Sequence, residues 1–221
     1  MKQLAEDVYM LNGFPPNAIN VYLVGDVLID AATRQGEKRI MRQLAGHTVT
    51  AHALTHAHAD HQGSSHAICE RLGIPLWCGR DDIPAMETGV KLPPTAPWAI
   101  RAFEERFWAG PPHPVARTLG EGDEVAGFTV LEVPGHSPGH VAFWRESDRT
   151  LILGDVLNNM NVRTGIPGLH EPPAFFTPDP VRNRESARKL AELEPALACF
   201  GHGAPLRDAG RFGAFVRGLP G

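Results

Sequence analysis

The stretch Leu54 to Gly63, LTHAHADHQG, places His56, His58, Asp60 and His61 within six consecutive positions. Imidazole and carboxylate are the donors that zinc, iron and manganese accept together, and a pair of such ions needs about six to eight ligands in all. His56 and His58 are two apart, so both can point the same way from an extended segment at the end of a strand, and one ion can use both. Asp60 and His61 are adjacent and would diverge on a strand, but at a tight turn entering a helix they can converge on a second position. Three later segments repeat a pattern of strand, glycine and polar residue. VLEVPGHSPGH presents His136, LILGDV presents Asp155 and ACFGHG presents His202. Each glycine allows the backbone turn that aims the next side chain. A lone histidine at a strand end is usually a hydrogen-bonded structural residue; four strand ends with the same donor chemistry point to a metal centre.

Positioning these donors requires a particular order of elements. VYMLNG and NAINVYLVGDVLIDAA read as short apolar strands broken by Gly, Pro and Asn turns, an antiparallel meander that ends at Asp30. EKRIMRQLAG reads as a helix with Ile40, Met41 and Leu44 at helical spacing and Gly46 as its stop. The strand TVTAHALTH, the helix SSHAICERLG with Ala67, Ile68 and Leu72 inward, and the strand IPLWCG form a βαβ unit with the histidine cluster at its first turn. Residues 82–114 form a Pro-rich excursion with a helix around WAIRAFEERFW, where Phe103 and Phe107 are four apart. That helix reads either as amphipathic and packed on the body or as a lid presenting Trp98, Phe107 or Trp108 to a substrate. Strands EVAGFTVLEVP, HVAFWRES and TLILGDVL follow, then an irregular stretch through Pro180, the helix RNRESARKLAELE and a last strand, ALACFGHG. The expected architecture is α/β, two sheets packed face to face with helices outside, in one domain spanning 1–221.

Composition narrows the function classes. The 221 residues suffice to bury a core without disulfides. A net charge of −4 without a Lys/Arg block argues against nucleic acid and membrane surfaces as partners. The N-terminus carries Glu6 and Asp7 where a signal peptide needs its apolar core, and no stretch reaches transmembrane length, so a cytoplasmic location is expected. Cys69, Cys78 and Cys199 lack CxxC spacing and sit in apolar runs, as buried reduced thiols do. A small-molecule substrate is the expected partner; nothing in the sequence indicates a homo-oligomer.

THAHADHQG resembles the HxHxDH signature of the metallo-β-lactamase superfamily, and His136, Asp155 and His202 follow in that superfamily's order. The resemblance runs from the first meander to His202. It implies a four-layer αβ/βα sandwich of two mixed β-sheets with a dinuclear site at one edge. His56, His58 and His136 would hold the first metal, Asp60, His61 and His202 the second, and Asp155 would bridge them. Two divalent ions, zinc before iron or manganese, would generate a bridging hydroxide and polarise a carbonyl, with Asp60 orienting the nucleophile and passing its proton to the leaving group. Without metal, Asp60 and Asp155 are expected to repel one another, raising a pKa or loosening the fold. Asp30 resembles the superfamily's first-motif aspartate and is expected to brace the ligand loop rather than touch metal. His140 is a candidate for ligand support or substrate contact. His47, His52 and His66 are read as structural, and His113 and His170 as loop residues that could reach the cleft.

Departures from sub-family patterns select a branch. True β-lactamases of the superfamily lack the bridging aspartate that Asp155 supplies, which leaves β-lactam hydrolysis as a promiscuous trace at most. Flavodiiron proteins usually carry Glu at the position of His58 and add a domain for which there is no room. Hydroxyacylglutathione hydrolases bind glutathione through a C-terminal helical extension, whereas only nineteen residues follow His202. Homoserine-lactone hydrolases typically place a tyrosine after the bridging aspartate, where this chain reads VLNNMNVRTGIPGLHEPP. The leading expectation is a dinuclear hydrolase of a small ester, thioester or lactone; the alternative is a mononuclear iron oxygenase of the persulfide-dioxygenase type. Trp98, Phe175 and Phe176 are candidate walls of an apolar pocket.

Overall fold

The computed structural model describes residues 1–89 and 96–220. Seven strands form the first sheet in chain order: β1 (Lys2–Ala5), β2 (Val8–Met10), β3 (Tyr22–Val24), β4 (Val27–Ile29), β5 (Ala51–Ala53), β6 (Leu76–Gly79) and β7 (Arg117–Leu119). Its first half is an antiparallel meander, and from β4 onward the strands are parallel. The second sheet holds β8 (Glu124–Val125), β9 (Phe128–Glu132), β10 (Val141–Arg145) and β11 (Thr150–Gly154). A small hairpin, β12 (Asn158–Met160) and β13 (Pro167–His170), then precedes β14 (Leu197–Phe200), which lies parallel to β11 at the edge of that sheet. The helices are α1 (Glu37–Leu44), α2 (Ala59–Gln62), α3 (Ser65–Leu72), α4 (Ile83–Thr88), α5 (Trp98–Phe107), α6 (Pro180–Ala191) and α7 (Ala209–Arg217).

The layers follow from the period-two alternation of the strands. Tyr22, Val24, Val27 and Ile29 face inward and meet Phe128, Val130, Phe143 and Ile152 of the second sheet in a shared core. Leu23 and Leu28 face outward and are covered by Ile40 and Leu44 of α1 and Ile68 and Cys69 of α3. On the far side Leu151 and Leu153 are covered by Ala187 and Leu190 of α6 and Phe212 and Val216 of α7. Both faces of each sheet are therefore dry, and the order helix, sheet, sheet, helix is the expected four-layer sandwich. The three cysteines are buried and unpaired, and burial pushes each thiol up to about 12.

Three local expectations are corrected. The strand before the histidine cluster stops at Ala53, because the Thr55 amide donates to Asp30 Oδ1 at 2.8 Å and the Thr55 carbonyl accepts from Val141 of the other sheet at 2.9 Å. The stretch after Asp155 is not wholly irregular: it contains the β12–β13 hairpin. In α3 the inward face is Ser65, Ile68 and Cys69, with Ala67 and Leu72 only half-buried.

Candidate metal centre

Each expected donor lies just past the C-terminal end of a strand or in the one-turn helix that follows. β4 leads to Asp30, β5 to His56 and His58, β9 to His136, β11 to Asp155 and β14 to His202, while α2 carries Asp60 and His61. β4 and β5 are parallel, β9 and β11 share a direction through β10, and β11 is parallel to β14, so within each sheet the ends emerge together. The donors close into groups with ligand atoms within 4.8 Å of one another: His56, His58 and His136; Asp60, His61 and His202; and His56, His61 and Asp155. Asp155 joins the groups. Its Oδ1 is 3.6 Å from His61 Nε2, and its Oδ2 is 3.6 Å from His136 Nε2 and 3.1 Å from His202 Nε2.

The far ring nitrogen of four imidazoles is engaged, which fixes each ring with the other nitrogen toward the cleft. His61 Nδ1 donates to Asp30 Oδ2 at 2.9 Å, His56 Nδ1 meets Thr55 Oγ1 at 3.0 Å and His136 Nδ1 meets Thr177 Oγ1 at 3.1 Å. His202 Nδ1 donates to the Ala18 carbonyl. His56 Nε2, His136 Nε2 and Asp155 Oδ1 are left buried with no hydrogen-bond partner among the described residues. Leaving such groups unmatched costs free energy unless something else binds them, and a divalent cation is the species that imidazole and carboxylate lone pairs together fit. Gly201 brackets the centre from behind: a Cβ there would stand 2.0 Å from Asp155 Oδ1, so that glycine is needed for space, whereas Gly154 adopts φ +53°.

The charges divide the two halves. Desolvation, reinforced by neighbouring histidines, holds His56 and His136 well below the ordinary imidazole range, so both rings are neutral lone-pair donors. Burial also opposes charge on His61 and His202. The carboxylates of Asp60 and Asp155 outweigh it, taking His61 to about 9 and His202 well above its usual value. Burial alone would raise Asp60 and Asp155, yet His61 and His202 hold both below the carboxylate range. Asp155 does raise Asp60, the repulsion expected between the two carboxylates, but His61 and His202 outweigh it and the net direction for both carboxylates is down.

Asp30 is buried and braces His61 and Thr55 through hydrogen bonds. His140 does not line the cavity at the metal centre: its Nε2 accepts the Asp155 amide at 3.2 Å, and its ring stacks on His56 with centroids 4.8 Å apart. Asp82, which no spacing singled out, is buried and accepts from the Ala57 amide, the Ser137 hydroxyl and the Gly139 amide, each at 2.8 Å. It thereby ties the His56 and His58 segment to the His136 loop.

A cavity of about 670 Å³ opens onto His58, Asp60, His136, Asp155 and His202. Phe14, Ile19, Ile100, Phe103, Met160, Phe175 and Phe176 supply its apolar wall. Trp108 also lines it, whereas Trp98 is 77% exposed and, like Phe107, does not. His113 and His170 do not reach it either. The excursion thus contributes through the inner face of α5; its residues 90–95 lie outside the described residues. Glu104, on that same face, was not anticipated from sequence. It is 6% exposed, lines the cavity, makes no side-chain hydrogen bond among the described residues, and is pushed up to about 8, chiefly by burial and then by Asp60.

Comparison with known proteins gives concordant likenesses. Residues 14–202 match the family model described as the metallo-beta-lactamase superfamily. A probable metallo-hydrolase of Bacillus subtilis (strain 168), YflN, is 29% identical over 223 residues, covering 89% of this chain and 84% of its own. The hydroxyacylglutathione hydrolase GloC of Haemophilus influenzae is 27% identical over 111 residues, 47% of this chain and 48% of its own. The crystal structure of TTHA1623 in a di-iron-bound form is 34% identical with a TM-score of 0.66, covering 87% of this chain and 90% of that one.

Proposed function

The chain belongs to the metallo-β-lactamase superfamily, and on that premise we propose that this metal-dependent hydrolase is dinuclear and cleaves a small ester, thioester or lactone. The observation that carries the reading is the pair of donor trios, His56, His58, His136 and Asp60, His61, His202, with Asp155 between them. Either trio alone has enough ligands for one divalent ion. Zinc is the proposed native metal, with iron the competitor because the relative TTHA1623 was solved in a di-iron-bound form. When bound, such ions supply Lewis acidity and bring the pKa of water toward neutrality.

The remaining steps belong to the protein's own residues. Asp60 lines the cavity with its side chain 17% exposed, so a carboxylate oxygen is available to orient the attacking water and then carry its proton to the leaving group. Asn158 lines the same space and offers an amide donor to the carbonyl oxygen where homoserine-lactone hydrolases typically have a tyrosine. The aromatic wall of Phe103, Phe175 and Phe176 suits an apolar acyl group and excludes bulk water from the reacting carbonyl.

The test is turnover of a panel of short-chain to medium-chain esters, thioesters and lactones by zinc-loaded protein before and after chelation. Chelator-sensitive hydrolysis, lost in Asp60→Asn and Asp155→Asn, is the expected result. No hydrolysis together with oxygen uptake by the iron-loaded protein on a persulfide would replace this reading with the oxygenase.

A further inference from the structure

A second cluster of donors lies outside the cleft. His66 and Glu70 are four apart on α3 and so share a face one turn apart. His113, from the segment that follows α5, lies against them. His66 Nδ1 and His113 Nδ1 are 3.2 Å apart, Glu70 Oε1 is 3.9 Å from His113 Nδ1, and all three donor atoms fall within 4.8 Å of one another. The two rings meet edge to face, centroids 5.3 Å apart at 78°. None of the three lines the cavity.

Two imidazole nitrogens this close share either a proton or a cation. A tetrahedral ion with bonds of about 2.0–2.1 Å sets neighbouring ligands roughly 3.3 Å apart, which matches the 3.2 Å between the two imidazole nitrogens, while the Glu70 carboxylate at 3.9 Å from His113 has to move in to complete the set. His113 is 7% exposed, and its burial together with His66 lowers its proton affinity, favouring the neutral ring that can donate a lone pair. Glu70 is exposed, so its carboxylate can close on an ion while a further coordination position faces water. Two imidazoles and one carboxylate are a zinc-type donor set.

We propose that His66, Glu70 and His113 bind a divalent transition-metal ion, zinc by preference, at a site separate from the cleft. The ion would join α3, which follows the cluster-bearing turn directly, to the chain leaving α5. That chain is already held by several hydrogen bonds, among them the His113 amide to the Met86 carbonyl at 2.9 Å and the Arg34 amide to the Trp108 carbonyl at 2.9 Å. The ion therefore has a structural role, fixing the exit of the helix whose inner face carries Phe103 and Glu104 to the cavity.

The test uses zinc itself as the probe and reads a difference, so it does not depend on how many ions the cleft holds. Whole protein, the double variant His66→Gln with Glu70→Gln, and His113→Gln are dialysed to equilibrium against zinc and their content measured by plasma mass spectrometry. One zinc fewer in each variant than in the parent, with loss of part of the zinc-dependent rise in melting temperature, is expected. The double variant alters a half-buried and an exposed side chain, so it remains informative if His113→Gln does not fold. Equal zinc content in the parent and the double variant would overturn the proposal and leave His66 and His113 as a hydrogen-bonded pair sharing a proton.

Discussion

At His61 the ring nitrogen turned away from the cleft donates to buried Asp30, and at His56 and His136 the corresponding nitrogen meets a threonine hydroxyl, so the orientation of the donors is set by the protein. The HxHxDH run, its three later partners and the support role of Asp30 were readable because donor chemistry is dense there and each later donor follows a glycine at a strand end. Glu104 was not readable: a carboxylate amid WAIRAFEERF looks like the polar face of an amphipathic helix until the fold turns that face inward. Its buried carboxyl has no hydrogen-bonding side-chain partner among the described residues, and its proton affinity is raised to about 8, so at neutral pH it opposes folding. Glu104→Gln should therefore raise the melting temperature, by roughly 2–4 °C for each kcal/mol recovered in a chain of this size, while lowering kcat/KM. A melting scan with a parallel assay checks both; a lower melting temperature would show that the carboxylate is structurally required.

Among the elements, the βαβ unit around the cluster and the outer helices followed from period alone, but the ties between elements did not. Asp82 is one of two adjacent aspartates entering a short helical turn, with no local sign that it reaches two donor-bearing loops. Its three acceptor contacts predict that Asp82→Ala strands two buried amides, costs on the order of 3 kcal/mol and disorders both His58 and His136. Chemical denaturation and metal content measure the two effects; unchanged metal affinity would contradict the second. His52, read from sequence as structural, has Nδ1 donating to the Leu28 carbonyl at 3.1 Å and Nε2 accepting from Ser65 at 2.7 Å, which joins β5 to β4 and α3. Burial lowers its proton affinity to about 4 from 6.5. The unfolded chain therefore takes up that proton first as pH falls, and stability is lost between those two values by on the order of 3 kcal/mol. His52→Gln should flatten the acid limb of a stability-against-pH curve; a variant whose limb keeps the parent's slope would exclude His52 as its source.

For the whole molecule, the two-sheet sandwich was legible because its strands are short apolar runs broken by Gly, Pro and Asn turns, whereas the β12–β13 hairpin and α7 were not. The hairpin's NNM segment lacks β-branched residues, and its Asn159 instead donates its amide to the His202 carbonyl at 2.9 Å. α7 is capped by Asp208, which accepts from the Arg211 amide at 2.8 Å, and its segment is interrupted by Gly210 and Gly213, which weaken the helical signal of its apolar residues. Assembly of the centre from both sheets makes metal binding a property of the folded chain, so chelation should lower the melting temperature. The size of that drop should depend on pH. The raised proton affinities of His61 and His202 stabilise the metal-free fold fully below 6.5, and that contribution is lost as pH rises through about 9 for His61 and through the raised value of His202. Protons also compete with the metal for the same nitrogens. The chelator-induced drop should therefore be smaller at pH 6 than at pH 8.5, and a drop that grows toward acid would contradict this account of the charges.

The most direct test of the dinuclear reading is anomalous diffraction at the zinc edge from crystals of zinc-loaded protein. Two anomalous peaks in the cleft, one among His56, His58 and His136 and the other among Asp60, His61 and His202, with Asp155 reaching both, is the predicted result. A single peak in the cleft at full zinc saturation would contradict it.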